Sequence, residues 1–231
     1  MDDGLVLVWD VDQTLSGQYF DPNMFSKNPS VNPYNYVLLN PKALDIIKKA
    51  LVAKSTGRVS AIGIFTNNGN EDFISLIKSA IEKTIRAESI FDFTITANRP
   101  NQTLGKNGQL VKTLAQIQEA VPTLENLANR VYFFDDMPDH EIRREIPVNQ
   151  YIQILPPFPG KDLYGNPDLK GESDETNWQP ILTALDTLPA LDTLPTASKG
   201  GRRQRRRPLK KSRRRHKKRS CQSRLMREGS I

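Results

Sequence analysis

The chain has 231 residues, of which 37% are hydrophobic, too few for every part of it to pack into a core. It carries 33 Lys+Arg against 26 Asp+Glu, a net +7, and the charge is divided. From Lys199 onward there are 16 basic residues and one acid, +15, while residues 1–198 hold 17 against 25, or −8. No apolar run reaches membrane-spanning length, the N-terminus lacks the basic start of a signal peptide, and Cys221 stands alone. Those features exclude an intrachain disulfide and set the expectation of an intracellular, reducing location with no membrane association.

In chain order, Leu5–Trp9 is a short apolar run that reads as a buried strand, and it stops on two carboxylates, Asp10 and Asp12. Residues 16–39, rich in Asn, Pro and aromatics, lack periodicity and read as an ordered loop or small flap. Asn40 followed by Pro41 reads as an N-cap with proline at the first helical position, opening a helix to about Lys54. Val59–Phe65 is a second strand, ending on Thr66 and Asn67, and Asn70 caps a helix from Glu71 to about Arg86. Residues 91–95 form a third strand. A Gly- and Asn-rich connector over 97–108 leads to a helix expected to begin near Leu110, with Lys112 in its first turn. Residues 131–134 form a fourth strand ending on Asp135 and Asp136, and 151–155 a fifth. Beyond Gly160 the chain reads as loop, with a short helix around 178–185. The repeat of Ala-Leu-Asp-Thr-Leu-Pro over 184–195 reads as a linker, and the dense basic run after it as a disordered tail.

Strands alternating with helices imply an α/β fold with a central parallel sheet and crossover helices. On such a sheet the ends of three strands bring Asp10 and Asp12, Thr66, and Asp135 and Asp136 to one edge, where open α/β sheets bind their ligands. Two carboxylates one residue apart repel each other unless a cation or shared proton intervenes. An isolated Asp-x-Asp is equally the composition of a turn. The polar residues at two further strand ends, Thr66 and Asp135 with Asp136, are what point to chemistry. Cleaving a phosphate ester needs a divalent cation, an in-line nucleophile, and donors for the equatorial oxygens. The four carboxylates are hard oxygen ligands of the type magnesium takes. Thr66, with Lys112 or Lys106, would clamp the phosphoryl oxygens, and a carboxylate could form a covalent aspartyl-phosphate.

The string Asp10-Val11-Asp12-Gln13-Thr14 resembles the first motif of the haloacid dehalogenase (HAD) superfamily of phosphohydrolases. Phe65-Thr66-Asn67, Lys112 and Phe133-Phe134-Asp135-Asp136 resemble its other three motifs in order, so the resemblance covers about residues 5–155. It implies a HAD-like Rossmannoid fold, with Asp10 as nucleophile and Asp12 as general acid and then base. Thr66, Asn67 and Lys112 would bind the phosphoryl group. Magnesium would lie between Asp10, the main-chain carbonyl of Asp12 and the acids Asp135 and Asp136. An acid at Asp12 places the chain with the phosphatase branch of that superfamily. Residues 107–114 resemble the third motif of the small phosphatases acting on the RNA polymerase II C-terminal domain, which favours Lys112 over Lys106. Register favours Asp136 as direct metal ligand with Asp135 in support, and His140 stands where many relatives carry Asp or Asn. Residues 15–39 are too few for a helical cap domain, so the resemblance implies an open site and a phosphate displayed on a macromolecule.

The expected division is a phosphatase domain over 1–160, a loop-rich extension and Pro-containing linker over 161–198, and a basic tail over 199–231. Cys221 and Arg227 have the Cys-x5-Arg spacing of another phosphatase class, but neither the strand nor the glycine cradle that chemistry needs precedes them. The tail suits nucleic-acid contact or nuclear import. The expected function is thus a magnesium-dependent phosphomonoesterase acting on phosphoserine or phosphothreonine in protein. The alternatives are a nucleic-acid terminal phosphatase, or a non-catalytic nucleic-acid-binding protein with this fold.

Overall fold

In the computed structural model, residues 4–18, 37–100, 102–105, 110–138, 140–161, 166–168 and 170–187 are described. The chain divides into one unit over residues 1–194 and a second over 195–231, and every described residue belongs to the first. The tail, Lys106, Asp139, Cys221 and the later copy of the hexapeptide repeat lie outside the described residues.

Five strands form one sheet: β1 (Leu5–Trp9), β4 (Val59–Phe65), β5 (Phe93–Ile95), β8 (Val131–Asp135) and β9 (Tyr151–Gln153). Their order is β5-β4-β1-β8-β9, and every neighbouring pair runs parallel. The expected parallel α/β architecture is therefore the one the chain adopts. The order reverses between β1 and β8, and a crevice opens beyond the strand ends at such a switch point.

Buried parallel strands read as unbroken apolar runs because helices cover both faces. In β1 the side chains of Leu5, Leu7 and Trp9 enter one core, and Val6 and Val8 enter the other. The first core is closed by α1 (Pro41–Ser55) and α2 (Glu71–Ile85). The second is closed by Ile117 of α3 (Leu114–Ala120) and Ile142 of α4 (Ile142–Glu145). Both expected caps are present: Asn40 accepts from the amides of Lys42 and Ala43, and Asn70 from that of Phe73. Gly63 is required by close packing, since a Cβ there would stand 2.1 Å from the Phe93 ring.

The structure corrects one expectation and adds to two others. No helix begins near Leu110. Instead Leu110–Val111 (β7) pairs antiparallel with Thr103–Leu104 (β6), a strand within the stretch read as connector. The helix starts only at Leu114, because Thr113 and Gln116 form a reciprocal capping box that defines its first turn. Second, the short helix expected around 178–185 is present, and it packs into the first core. Helix α5 (Gln179–Thr187) buries Ile181 and Leu185 in the first core, and Trp178 packs 6.5 Å from Trp9 and 6.1 Å from Phe134. Third, the ends of the stretch read as an ordered loop or small flap are paired: β2 (Ser16–Gln18) runs antiparallel to β3 (Val37–Leu39), and residues 19–36 lie outside the described residues. Among the described residues no helix is long and apolar enough to cross a membrane.

Candidate active site

Asp10 follows β1 directly, and its amide extends the sheet ladder by donating to the Phe134 carbonyl at 2.9 Å. The chain then doubles back. Gln13 takes a left-handed conformation (φ 58°), and the Val11 carbonyl accepts from the amides of Leu15 and Ser16. Asn40 closes this turn from outside: its side-chain amide donates to the Thr14 carbonyl at 3.0 Å while its oxygen caps α1. One side chain thus starts a helix and holds the loop that presents Asp12.

Thr66 follows β4, donates its amide to the Ile95 carbonyl, and is buried. Its Oγ1 accepts from the Asn68 amide at 3.1 Å, which leaves its hydroxyl proton to donate. Asp135 ends β8. Lys112, between β7 and α3, carries its ammonium group into the crevice with its side chain almost wholly out of solvent. Its Nζ lies 2.6 Å from Asp10 Oδ1 and 2.6 Å from Asp135 Oδ2.

These side chains, with Asp12, Asp136 and His140, line a cavity of about 510 Å³ at the switch point. Asn67 also lines the cavity, and its side chain is engaged by neighbouring protein groups. Its amide donates to the Leu110 carbonyl, and its oxygen accepts from Arg99. The Leu110 carbonyl of β7 gains a hydrogen-bond donor from Asn67 in this way. Its neighbour Asn68 faces the site instead, donating to Asp12 Oδ2 at 3.0 Å. The polar run Asn67-Asn68-Gly69 signalled the region, but not which amide turns inward.

The electrostatics are those of a site short of positive charge. Asp10, Asp135 and Asp136 each offer a carboxylate oxygen within 4.8 Å of the others, and Lys112 is the cation bonded among them. When all four ionise the cluster carries −2. Burial lifts the Asp10 and Asp135 carboxyls above the ordinary carboxylate range despite the pull of Lys112. Burial also lifts Asp136, to about 7, helped by the charges of Asp10 and Asp135. Burial alone would lower Lys112, but the two carboxylates beside it outweigh that and push it up. Asp12 is raised chiefly by burial, against the hydrogen bond from Asn68.

A divalent cation with oxygen ligands fits this donor set: three converging carboxylates, hard in character, with two negative charges to neutralise. The two fourth-motif acids differ in what already engages them. Asp135 is fully buried and accepts from Lys112 Nζ and from the Met137 amide at 2.8 Å. Asp136 is half-buried and lines the cavity. The Asp12 carboxylate stands outside the metal-capable group, against Asn68.

No protein-family model matches the chain, and no curated protein does. Among solved structures, the chain is similar to the fission yeast RNA polymerase II CTD phosphatase Fcp1, in an arginine-to-alanine variant bound to beryllium fluoride. That likeness has 15% identity and a TM-score of 0.42, over 68% of this chain and 43% of that one. A second structure of Fcp1, described as an essential RNA polymerase II CTD phosphatase, is similar at 15% identity and a TM-score of 0.41. It covers 67% of this chain and 42% of the other. The chain therefore spans less than half the length of these two structures.

Proposed function

We propose that the chain hydrolyses phosphate monoesters through a covalent intermediate on Asp10, with a divalent cation held by Asp10 and Asp136. The observation that carries this reading is the meeting of Asp10, Asp12, Thr66 and Lys112 around one crevice at the sheet's switch point. The bound cation, magnesium by the hardness of its ligands, would offset the negative charge of the phosphoryl oxygens. Lys112 keeps Asp10 oriented by its ion pair and offers an ammonium to the phosphoryl group, and the Thr66 hydroxyl donates to another of its oxygens.

Asp10 attacks phosphorus and the bond to the ester oxygen breaks. Asp12, whose carboxyl burial keeps above the usual range, delivers its proton to that departing oxygen. The Asp12 carboxylate then takes a proton from water as the water attacks the phosphorus of the aspartyl-phosphate. Phosphate leaves and Asp10 is restored. Asn68 supports both roles by holding Asp12 Oδ2 at 3.0 Å.

The substrate class we favour is phosphoserine or phosphothreonine on a protein. Gln13 and Met137 stand exposed at the cavity mouth, and no helical cap intervenes among the described residues. A second reading, removal of terminal phosphate from nucleic acid, draws on the +15 tail, which would hold such a substrate near the site. The deciding experiment is a magnesium-dependent activity screen over phosphopeptides, phosphorylated oligonucleotides, nucleotides and an aryl phosphate, run beside Asp10→Asn. Turnover of phosphopeptides that Asp10→Asn abolishes is the expected result. Turnover that Asp10→Asn leaves near wild type would overturn the mechanism, and preference for oligonucleotide ends would select the second substrate.

A further inference from the structure

His140 follows β8 by five residues, and its two ring nitrogens face opposite demands. Nδ1 lies 3.4 Å from the backbone nitrogen of Lys112, which donates to it. Nε2 lies 3.5 Å from Asp135 Oδ2, the same oxygen that takes the Lys112 ammonium. A neutral imidazole has one acceptor and one donor nitrogen, so with Nδ1 accepting, the proton belongs on Nε2, the nitrogen nearer the carboxylate. The side chain is nearly buried, at 9% exposure.

The contact belongs to a wider clamp. The Ile142 amide donates to the Lys112 carbonyl at 3.0 Å, so residues 140 and 142 hold both backbone groups of Lys112. The Leu114 amide is in turn held by Glu145 at 2.5 Å. The hydroxyl of Tyr151 donates to the Met137 carbonyl, fixing the backbone just after Asp136. Lys112 is thus placed by the segment that carries the fourth-motif acids as much as by its own short strand.

We infer that His140 is a positioning residue: as the Nε2–H tautomer it ties the Lys112 backbone to the Asp135 carboxylate and keeps that ion pair in register. With Lys112, the Met137 amide and His140 on it, Asp135 has its oxygens engaged. Asp10 and Asp136 are left to face the cavity. The tautomer and the clamp stand on geometry alone, whereas the effect on turnover rests on the phosphatase reading.

The test has two arms. In the metal-free, full-length protein at pH 8, where an unperturbed imidazole is neutral, two-dimensional ¹⁵N–¹H spectra of the ring report its tautomer. The chain has two histidines, and His216→Gln assigns the signals. A protonated Nε2 with bare Nδ1 is expected for His140, and an Nδ1–H tautomer, an equal mixture or an imidazolium would overturn the inference. In the second arm, His140→Asn keeps an acceptor near the Lys112 amide but cannot reach Asp135, whereas His140→Gln can place an amide donor near Asp135. His140→Asn should lose about tenfold in kcat with KM little changed, the lower end of what removing a partner of a site residue costs. His140→Gln should recover most of that loss, with thermal midpoints alike for the two variants. Equal kcat for both variants and wild type would overturn the positioning role. A wild-type protein without phosphatase activity would sink the functional reading and leave the tautomer to be judged by the spectra.

Discussion

Lys112 Nζ lies 2.6 Å from Asp10 Oδ1, joining residues 102 positions apart, and neither side chain is more than 8% exposed. A buried pair of opposite charges is held against the cost of dehydration only when its geometry is good and its remaining donors are used. Here the second acceptor is Asp135, also at 2.6 Å. The cluster still carries more carboxylates than it can balance by itself, and that imbalance marks it as a place for a cation and a charged substrate.

Removing the Lys112 ammonium should therefore be costly. Lys112→Met leaves Asp10 and Asp135 buried without their partner, and breaking a buried pair in this way destabilises by about 3–5 kcal/mol. Urea unfolding without metal should show that loss, and saturating magnesium should return part of it. A variant as stable as wild type would mean that the carboxylates are protonated rather than paired.

The two adjacent acids should separate in a metal titration. Because Lys112 and the Met137 amide already engage Asp135, Asp136→Asn should weaken magnesium binding more than Asp135→Asn does. Calorimetric titration of both variants decides it, and the reverse order would move the direct ligand to Asp135.

The metal-free protein should lose stability as pH rises toward neutrality. A carboxyl whose pKa is about 7 when folded, against 3.8 ordinarily, binds its proton more tightly in the folded protein. Its contribution is full below the ordinary value and is lost as pH rises through about 7. Asp10 and Asp135, also raised, add to the same trend. Unfolding free energies in chelator between pH 4 and 8 should therefore fall less steeply for Asp136→Asn than for wild type, by on the order of 1 kcal/mol after allowing for partial exposure. Parallel profiles for the two proteins would refute the assignment. Magnesium should oppose the decline at neutral pH, where the carboxylates are free to bind it.

Truncation after Ser198 removes 16 basic residues and one acid, changing net charge from +7 to −8. Turnover of a small aryl phosphate should be almost unchanged, because the site residues all lie between Asp10 and His140. Binding to DNA or RNA should collapse, together with its steep dependence on salt. Equal binding by the truncated protein would sink the role proposed for the tail, and a large loss of turnover would show that the tail contributes to the site.

The parallel sheet was legible in the sequence because strands covered on both faces are short, unbroken apolar runs, and polar residues at their ends stand out against them. Asp10, Asp12, Thr66, Asp135 and Asp136 could each be found that way, as could the caps Asn40 and Asn70, whose effect is local. Strands β6 and β7 could not, since two residues apiece give no period and their pairing is a tertiary contact. Local sequence likewise leaves open which way each of two adjacent asparagines turns. Asn67 faces β7 and Asn68 faces Asp12 because of what stands opposite each one. The place of His140 was settled in the same manner, by a backbone amide 28 residues away and a carboxylate across the loop. Hydrophobic period and capping act within a few residues and are written in the chain. The partner of a buried polar group is whatever the folded chain brings within hydrogen-bonding distance, and only the tertiary structure decides that.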